Sequence, residues 1–437
     1  MRIQGGLLLL LLLILTGCGA SGVDSEEPAA TLESDEPTPV ATPTLMTIPQ
    51  STLISGLFSP TTLNVWIANQ FSQVNDPEGG PILADQFSSF QTIHPEISVE
   101  VEGKVPTGPG GILSYLQAGS GLASEILPDL VMLPSEEVEY AVSQGLIFPL
   151  DAMIDQEMVD DLFPAARIIS QVDGATIAYP FAFMDMRHLV FDSESIDEPF
   201  PDTWNDLLDI EDAQFAFPAR GMDGAEMALQ LYLAAGGSLI DEANQPILEV
   251  DPLTQALSQI NRGATRRVIE RQSANLSTDG EAWELLIDGD ANIIQSRAST
   301  YLANRLSEAE IEPARVPGFD SALRPFVNGW VWAISTPEPA RQLLAMELLS
   351  SIASGPNIGE WSISAGQLPA RRSAYSRWPL NSSLTEFYLQ ASEHAHQFPE
   401  DATDEIMNAL NDAVLQMIVL SQSPRSAAEE AAQAVGR

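Results

Sequence analysis

Cysteine, histidine and basic residues are scarce in this chain of 437 residues. It contains one Cys, four His and 19 Lys or Arg against 61 Asp or Glu, so its formal net charge is −42 at pH 7. One cysteine excludes an intramolecular disulfide framework, and four histidines leave little material for zinc or nucleophile–base chemistry. A field of this sign repels phosphate backbones. We therefore expect no metal, no cofactor and no nucleic-acid partner, and we interpret the acidic surface as a solvated coat.

Sequence signatures of catalysis are missing as well. No GxSxG, P-loop, HExxH or CxxC motif occurs in the chain. His394 and His396 could chelate a metal only from a strand, and the stretch around them is helical and loop-rich. The segment from Asp288 begins like a calcium loop, but Ile293 and Ser299 stand where that loop needs Gly and Glu. We expect a binding protein rather than an enzyme; turnover of a bound oligosaccharide would instead indicate a glycoside-active enzyme.

The single cysteine follows an apolar run near the start of the chain. Residues 7–15 form an unbroken stretch of nine apolar residues, about half of the roughly 20 that a membrane-spanning helix needs. This is the length of the apolar region of an export signal. The tetrapeptide LTGC at 15–18 resembles the lipobox of bacterial lipoproteins, which implies removal of residues 1–17 and a lipid anchor on Cys18. The alternative is an ordinary signal peptide with an incidental cysteine.

The next segment has the composition of a tether. Residues 19–60 contain six Pro, twelve Ser or Thr and six acidic residues, and no Lys or Arg. Such a segment buries too little apolar surface to offset its chain entropy. We expect the lipidated cysteine and residues up to 60 to form a disordered tether, which would hold the rest of the chain away from a membrane.

From residue 61 the chain alternates between strand and helix patterns. The first strand is TTLNVWI, in which Leu63, Val65 and Ile67 alternate with more polar positions. The following helix presents an apolar face that includes Ile93, and a C-terminal stripe of Ile406, Leu410, Ala413, Met417 and Leu420 indicates core packing. This alternation predicts an α/β protein with parallel sheets. The predicted strands are 61–67, 97–101, 129–133, two within 174–192, 215–217, 291–295 and 329–335, and the predicted helices include 82–93, 112–118, 136–144, 204–208, 223–235, 252–262 and 339–351.

Six stretches in a fixed order resemble the bacterial extracellular solute-binding proteins of ABC importers, of the maltose- or sugar-binding type. They are LPDLVMLPSEEVEYAVSQGLIFPL (127–150), GATIAYPFAF (174–183), PDTWNDLL (201–208), AAGGSLID (234–241), RPFVNGWVWAISTPEPARQLLAMELLSSI (324–352) and GQLPARRSAY (366–375). The resemblance implies a two-lobed periplasmic-binding-protein-like fold of type II, each lobe a mostly parallel sheet flanked by helices, joined by hinge strands. The first lobe would comprise 61–183 with 318–350, and the second 186–315 with 352–437.

The same resemblance implies a function. A sugar or oligosaccharide would bind in the cleft between the lobes, hinge closure would trap it, and membrane permease subunits would receive it from a lipid-anchored monomer in the periplasm or on the outer face of the cytoplasmic membrane. A non-sugar polar solute, or delivery to a sensor, are the alternatives. Ala298 and the segment 223–226 stand where the maltose-binding pattern has aromatic platforms, and the expected basic residue after the first strand is not evident. A maltodextrin is therefore doubtful as the ligand.

Candidate ligand-binding residues follow the ends of strands, since ligands of open α/β sheets bind beyond the carboxyl ends of the strands. Trp66 could stack on a sugar ring, or it could pack beneath the next helix. Arg220 leads into a helix N-terminus, where amides and a guanidinium bind hydroxyls or an anion. Arg297 follows a strand, or forms only a surface ion pair. The residues of this group are Trp66, Asn69, Gln70, Arg220, Asp223 and Arg297.

The resemblance adds further candidates. It implies a ligand-contacting acid at Glu136, beside Ser135, although Glu136 could instead only cap a helix. It places a cleft carboxylate at Asp185, with a hinge hydrogen bond as the alternative and Arg187 as its expected partner. It also implies contacts from the hinge side and from the loop near residue 366. These residues are Ser135, Glu136, Asp185, Asn328, Trp330 and Trp361.

Overall fold

The computed structural model describes residues 61–435, except 121–126, 185, 197–198, 306–309, 379–381 and 421. The predicted signal peptide, the lipidation site Cys18, the tether up to residue 60 and the candidate Asp185 lie outside the described residues. None of the helices in the described part of the chain combines the length and hydropathy of a membrane span.

The strands begin where the sequence alternates between apolar and polar residues. In β1, Leu63 and Val65 are fully buried on one face. The strands are β1 Thr61–Ala68, β2 Ile97–Lys104, β3 Leu130–Pro134, β4 Gln171–Val172, β5 Ala175–Thr176, β6 Tyr179–Met184, β7 Arg187–Asp192, β8 Phe215–Ala216, β9 Ile293–Arg297, β10 Ile311–Ala314, β11 Phe326–Ile334, β12 Leu368–Pro369 and β13 His396–Gln397.

The helices are delimited by the expected capping residues. Thr278 and Glu281 form a capping box at the start of α9, and Gly289 ends it in the left-handed conformation. The helices are α1 Gly79–Ile93, α2 Ile112–Ser120, α3 Val138–Ser143, α4 Gln156–Asp160, α5 Pro164–Ile169, α6 Trp204–Leu208, α7 Met222–Ala234, α8 Val250–Arg266, α9 Asp279–Asp288, α10 Ala298–Asn304, α11 Pro339–Ile352, α12 Gly355–Ser364, α13 Ser382–His394, α14 Asp404–Leu415 and α15 Pro424–Ala434.

Two larger sheets organise the described residues. The first sheet has the order β12-β6-β11-β3-β1-β2, with β13 paired to β11, and the second has the order β10-β7-β9-β8. Both are mixed rather than mostly parallel, because β11 is antiparallel to β3 and β6, and β7 is antiparallel to β9 and β10. The reason is connectivity. β11 comes from the second sheet and enters the first sheet at the edge where β3 ends, so it runs in the opposite direction.

The buried side chains form two hydrophobic clusters. The first surrounds the first sheet and reaches one face of the second sheet at Val190, Ala216 and Ile294, and the second lies between the other face of the second sheet and α7, α8, α14 and α15. Side chains from 352–395, which we expected in the second lobe, pack in the first cluster: Trp361 and Tyr388 are examples. They do so because β12 pairs with β6 of the first sheet. The lobe boundaries as a whole remain a prediction.

Two expected core positions are exposed. Ile406, Leu410, Ala413 and Met417 are buried as predicted, but Leu420, the last residue of that stripe, is 66% exposed. Ile93 at the end of α1 is 72% exposed. Both residues occupy the last turn of a helical segment, where the helix extends past the surface that it covers.

Within the described residues, the chain passes three times between the first sheet and the second sheet with its helices. It leaves the first sheet between β6 and β7, returns between β10 and β11 through residues 315–325, and leaves again between β13 and α14 through residues 398–403. We call these the three crossovers. They are the connections at which any change in the angle between the sheets must occur.

Candidate functional site

Ser135, Glu136 and Asn328 meet at one edge of the first sheet. β3 ends at Pro134 and continues into a short 3-10 turn, Ser135–Glu137. β11 runs the other way and places Trp330 opposite Pro134. Asn328 Nδ2 donates to Glu136 Oε1 at 2.7 Å, and the Gly329 amide donates to Ser135 Oγ at 3.0 Å. Glu136 is therefore held across the sheet edge by a residue from a distant segment, which a helix cap alone would not require.

The neighbouring acid, Glu137, was not among the predicted residues. Burial, and next the adjacent Glu136 carboxylate, raise the pKa of Glu137 from 4.5 to about 7. Two adjacent carboxylates at the sheet edge thus differ in their environment, one exposed and one partly buried. The sequence signal was the pair itself, SEE, directly after a buried strand.

Trp66 lies beside the same edge but packs beneath other side chains. It is 8% exposed, and its ring meets the edge of Tyr115 on α2 at a centroid distance of 6.3 Å. Lys104 Nζ lies 5.0 Å from the centroids of both rings, a cation–π arrangement. The ring of Tyr115, 48% exposed, is the open face of this group.

Lys104 supplies a basic residue near the end of the first strand that was not evident from the sequence. It is the only lysine of the chain. β2 pairs with β1 in parallel, with Lys104 opposite Ala68, the last residue of β1. Its ammonium also donates to Glu102 at 2.5 Å. The pairing of β2 with β1 brings Lys104 to the end of the first strand. The feature of the sequence that could have drawn attention to this residue is that it is the single lysine.

Asn69 and Gln70 form the turn that follows β1. The Asn69 carbonyl accepts a hydrogen bond from Ser72 Oγ at 2.6 Å and another from Asn75 Nδ2 at 2.8 Å. These two bonds fix the turn. Gln70 is exposed at this edge. Both positions thus border the edge that carries Glu136.

Trp330 and Trp361 are packed in an aromatic cluster instead of lying open. Trp330 is 4% exposed and Trp361 is 2% exposed. Phe71 meets the edges of both indoles, at centroid distances of 5.2 and 5.4 Å, and Phe181 lies 5.2 Å from Trp361. These indoles hold the turn after β1 against β6 and β11, so they support the edge in the described structure.

At the edge of the second sheet, Arg297 and Asp223 are joined. Arg297 Nη2 donates to Asp223 Oδ1 at 3.0 Å, and its Nη1 and backbone amide donate to Asp279 Oδ2 at 3.2 and 3.0 Å. Both carboxylates are buried, whereas the Arg297 side chain is 32% exposed. Burial raises the pKa of Asp279, and the Arg297 guanidinium opposes this shift. Arg297 therefore does not form a surface ion pair, because both of its acidic partners are buried and its guanidinium reaches solvent only in part.

Arg187 completes this group beneath α7. It is 5% exposed and donates to Asp223 at 2.5 Å and to Glu226, which is also buried. The expected partner of Arg187, Asp185, lies outside the described residues. Arg220 precedes Gly221, the N-cap of α7, and its side chain is exposed. We call Arg187, Asp223, Glu226, Asp279 and Arg297 the charge cluster.

A narrow crevice lies where Phe183, paired with Gly329 in the first sheet, approaches the start of α10, which follows Arg297; Glu136 and Arg297 lie outside its lining. Phe183 and Leu368 from the first sheet and Ala298 and Ser299 at the start of α10 line a cavity of about 20 Å³. Gly366, with φ +64°, lies on the same cavity, and a Cβ built there would be 3.8 Å from the Ser299 carbonyl oxygen. That volume holds about one water molecule. A solute of sugar size therefore needs a wider separation of the two edges.

Metal coordination finds little support in the described residues. No three His, Cys, Asp or Glu side chains in this part of the chain converge as metal ligands. His394 Nδ1 is paired with the Gln390 carbonyl at 2.8 Å, and His396 Nε2 accepts from Arg324 at 2.8 Å. What both sheet edges offer is an arrangement of hydrogen-bond donors and acceptors.

Several solved structures share this fold. The sugar-binding protein MalE from the phytopathogen Xanthomonas citri has 17% sequence identity, covers 86% of this chain and 96% of its own, and gives a TM-score of 0.68. The cyclic alpha-maltosyl-1,6-maltose binding protein from Arthrobacter globiformis has 16% identity, with coverage of 86% and 98% and a TM-score of 0.67. The GacH receptor of Streptomyces glaucescens has 17% identity, coverage of 86% and 97%, and a TM-score of 0.62.

These likenesses confirm the predicted α/β, periplasmic-binding-protein-like fold. At the level of the sequence, residues 85–383 match the family described as bacterial extracellular solute-binding protein. The match spans more than half of the chain and includes the turns that carry Glu136, Asp223, Arg297 and Asn328. The chain therefore belongs to the bacterial extracellular solute-binding proteins.

Proposed function

We propose that this protein captures a sugar or oligosaccharide between its two sheets and delivers it to the permease of an ABC importer. The observation that carries the proposal is that both sheet edges bear positioned hydrogen-bonding groups, while a crevice lies between the first sheet and the start of α10. Glu136 is held by Asn328 on one side, and Arg297 by Asp223 and Asp279 on the other. Structural neighbours described as a sugar-binding protein and as a cyclic alpha-maltosyl-1,6-maltose binding protein support the class of ligand.

Carboxylates and guanidinium groups suit the hydroxyls of a sugar. A carboxylate accepts from two neighbouring hydroxyls, and a guanidinium donates to them in a fixed geometry. Glu136, Ser135, Asn69 and Gln70 would contact the sugar from the first sheet, and Arg297 and Arg220 from the second. The half-exposed ring of Tyr115 is the stacking surface that we infer in place of Trp66. A charged or amide-bearing polar solute is the alternative that the same donors and acceptors would accommodate.

Binding in this proposal requires opening and closure. The crevice of about 20 Å³ is too small for a sugar, and rotation about the three crossovers would open it. The closed form would then be the state that the permease recognises. Delivery to a sensor in place of a permease uses the same closure, and a transport assay separates the two.

Anchoring and location belong to the same proposal. The LTGC tetrapeptide and the composition of residues 19–60 support a lipid on Cys18 and a tether, with the folded part acting as a monomer in the periplasm or outside the cytoplasmic membrane. Metabolic labelling with a fatty acid, compared between the wild type and Cys18→Ala, tests the anchor. Absence of label from the wild type would remove it from the proposal.

The ligand is tested by calorimetry on the purified protein with maltose, maltotriose, other sugars, polyols and amino acids. We expect a sugar to bind, with no product formed on prolonged incubation, and Glu136→Gln to weaken binding about tenfold through loss of a charge-assisted hydrogen bond. Glu139→Gln, which removes an exposed carboxylate from the adjoining helix, is the matched control. Binding of an amino acid but no sugar, or equal effects of the two variants, would contradict the proposal.

A further inference from the structure

Two cavities lie beside the crossovers, and the first of them shares Met186 with the crevice. They have volumes of about 510 and 590 Å³, and both are bordered by residues 321–324 and by Gln230 of α7. We call them the hinge cavities. Their size falls in the range of small-molecule sites, which is about 300–1,000 Å³.

All three crossovers contribute to the walls of the hinge cavities. Met186 comes from the first crossover, residues 321–325 from the second, and Pro399 from the third. A rotation of one sheet against the other must therefore change the shape of these cavities. A molecule that binds there would favour one angle between the sheets over another.

Gln230 points to a polar occupant. Its side chain is 4% exposed, lines both hinge cavities, and neither amide atom has a hydrogen-bond partner among the described residues. A buried amide without partners costs free energy that a ligand would recover. Gln295 on β9 is equally buried and unpartnered but lines neither cavity, which makes it a matched control.

The charge on these walls that would bind an anion is Arg324. Arg324 borders both cavities and donates to the ring of His396 at 2.8 Å. Burial, and next the Arg324 charge, lower the pKa of His396. The other titratable groups on the walls are His188, His394, Glu386, Asp320, Arg187 and Arg315. Of these, Arg187 and Arg315 are paired with acids.

The remaining wall is apolar. Val316, Leu323, Phe387 and Ala391 line the cavity of about 510 Å³. They offer a surface for a ring or chain, close to the guanidinium and the amide. We infer that the hinge cavities form a second binding site, for a small organic carboxylate with an apolar body. Its carboxylate is bound by Arg324 and Gln230, and its body lies against this wall.

Occupation of this site is coupled to the crevice. If the carboxylate favours one angle between the sheets, it changes the affinity for the sugar, and the sugar changes the affinity for the carboxylate by the same factor. This coupling rests on the proposed function. Binding at the hinge cavities does not, so the two are tested separately.

The first experiment measures binding of 2-naphthoate and of its uncharged amide, 2-naphthamide, to the whole protein by calorimetry, without sugar. We expect the acid to bind at least tenfold more tightly than the amide. Arg324→Gln should weaken binding of the acid at least tenfold, and Gln230→Leu about fivefold. Gln295→Leu should leave it unchanged. Ala322→Trp, which fills the space between both cavities, should abolish binding even if Gln230→Leu does not fold.

Three results would overturn the inference: no binding of naphthoate at 10 mM, equal binding of the acid and the amide, or equal losses in Gln295→Leu and Gln230→Leu. A second titration, of the sugar found by calorimetry, is then repeated with and without saturating naphthoate. A changed sugar affinity supports coupling through the crossovers. An unchanged affinity removes the coupling but leaves the second site.

Discussion

The two sheet edges that border the crevice are built differently. At the first, Ser135, Glu136 and Asn328 are exposed or half-buried and joined by single hydrogen bonds. At the second, buried carboxylates and arginines form the charge cluster. Breaking a buried ion pair leaves an uncompensated charge, whereas an exposed pair contributes little. The second edge is thus part of what holds the fold, while the first can change with little structural cost and so can adapt to a ligand.

The strongest test of this contrast is Arg187→Leu. This substitution leaves Asp223 and Glu226 buried without the Arg187 cation, and we expect the free energy of unfolding to fall by about 3–5 kcal/mol. Urea unfolding followed by circular dichroism measures the change. The matched control is Arg425→Leu, because Arg425 pairs with Asp251 and Glu429 at the surface; it should change stability by less than about 0.5 kcal/mol. Similar values for the two variants would show that burial does not separate the edges.

The sequence showed which segments end at the crevice but not how their side chains pair. The rule on strand ends led to Arg220 and Arg297, and the structure has both residues beyond strands of the second sheet, since that rule depends only on the order of strands and helices. Among the partners of Arg187 are Asp223 and Glu226, and Glu226 is 39 residues away. That pairing depends on how α7 lies on the second sheet, which local patterns do not encode.

Aromatic residues illustrate the same limit. Trp66, Trp330 and Trp361 were candidate ligand contacts, with packing as the alternative for Trp66, and the structure packs all three against other rings. A tryptophan has the same local sequence context whether it is covered or open. Lys104 shows the converse, because the parallel pairing of β1 and β2 brings it to the edge from a strand whose own sequence carries no such indication.

Arg297 tests the boundary between structure and binding. Because its guanidinium bridges Asp223 and Asp279 but is partly exposed, Arg297→Gln should cost less than Arg187→Leu, about 1.5–3 kcal/mol. It should also weaken sugar binding. Arg297→Lys keeps the positive charge but loses the planar set of N–H donors of the guanidinium. We therefore expect it to recover more of the stability, measured by urea unfolding, than of the sugar affinity, measured by calorimetry. Equal recovery of both would argue against direct contact with the ligand.

At the first edge, the pair of Asn328 and Glu136 should contribute about 1 kcal/mol. A double-mutant cycle of Asn328→Ala and Glu136→Ala in urea isolates this term, since the side chains meet through one hydrogen bond of 2.7 Å. Ser143→Ala with Glu136→Ala serves as the control, because Ser143 bonds its own helix. A coupling above about 3 kcal/mol would place this edge in the same class as the charge cluster.

The smallest expected effect comes from Glu137. Its pKa in the folded protein is raised from 4.5 to about 7, first by burial and next by Glu136. The folded state therefore binds this proton more tightly than the unfolded state, so the contribution to stability is greatest below pH 4.5, falls as the pH rises to about 7, and is constant above. Glu137→Gln removes this titration. The melting temperature of this variant relative to the wild type should rise between pH 4.5 and 7. The corresponding gain in the free energy of unfolding is about 0.5–1 kcal/mol at most, because the Glu137 carboxyl is half-exposed.

The difference between the two proteins at each pH is the quantity to measure, since titration of the many other acids cancels in it. Glu139→Gln removes an exposed carboxylate from the next helix and changes the net charge by the same amount. If Glu137→Gln alone gains stability over this range, then burial beside Glu136 is the cause and the first edge carries its own small electrostatic strain. If Glu139→Gln gains as much, relief of the overall negative charge explains the effect, and the first edge differs from the second only by its lack of buried ion pairs.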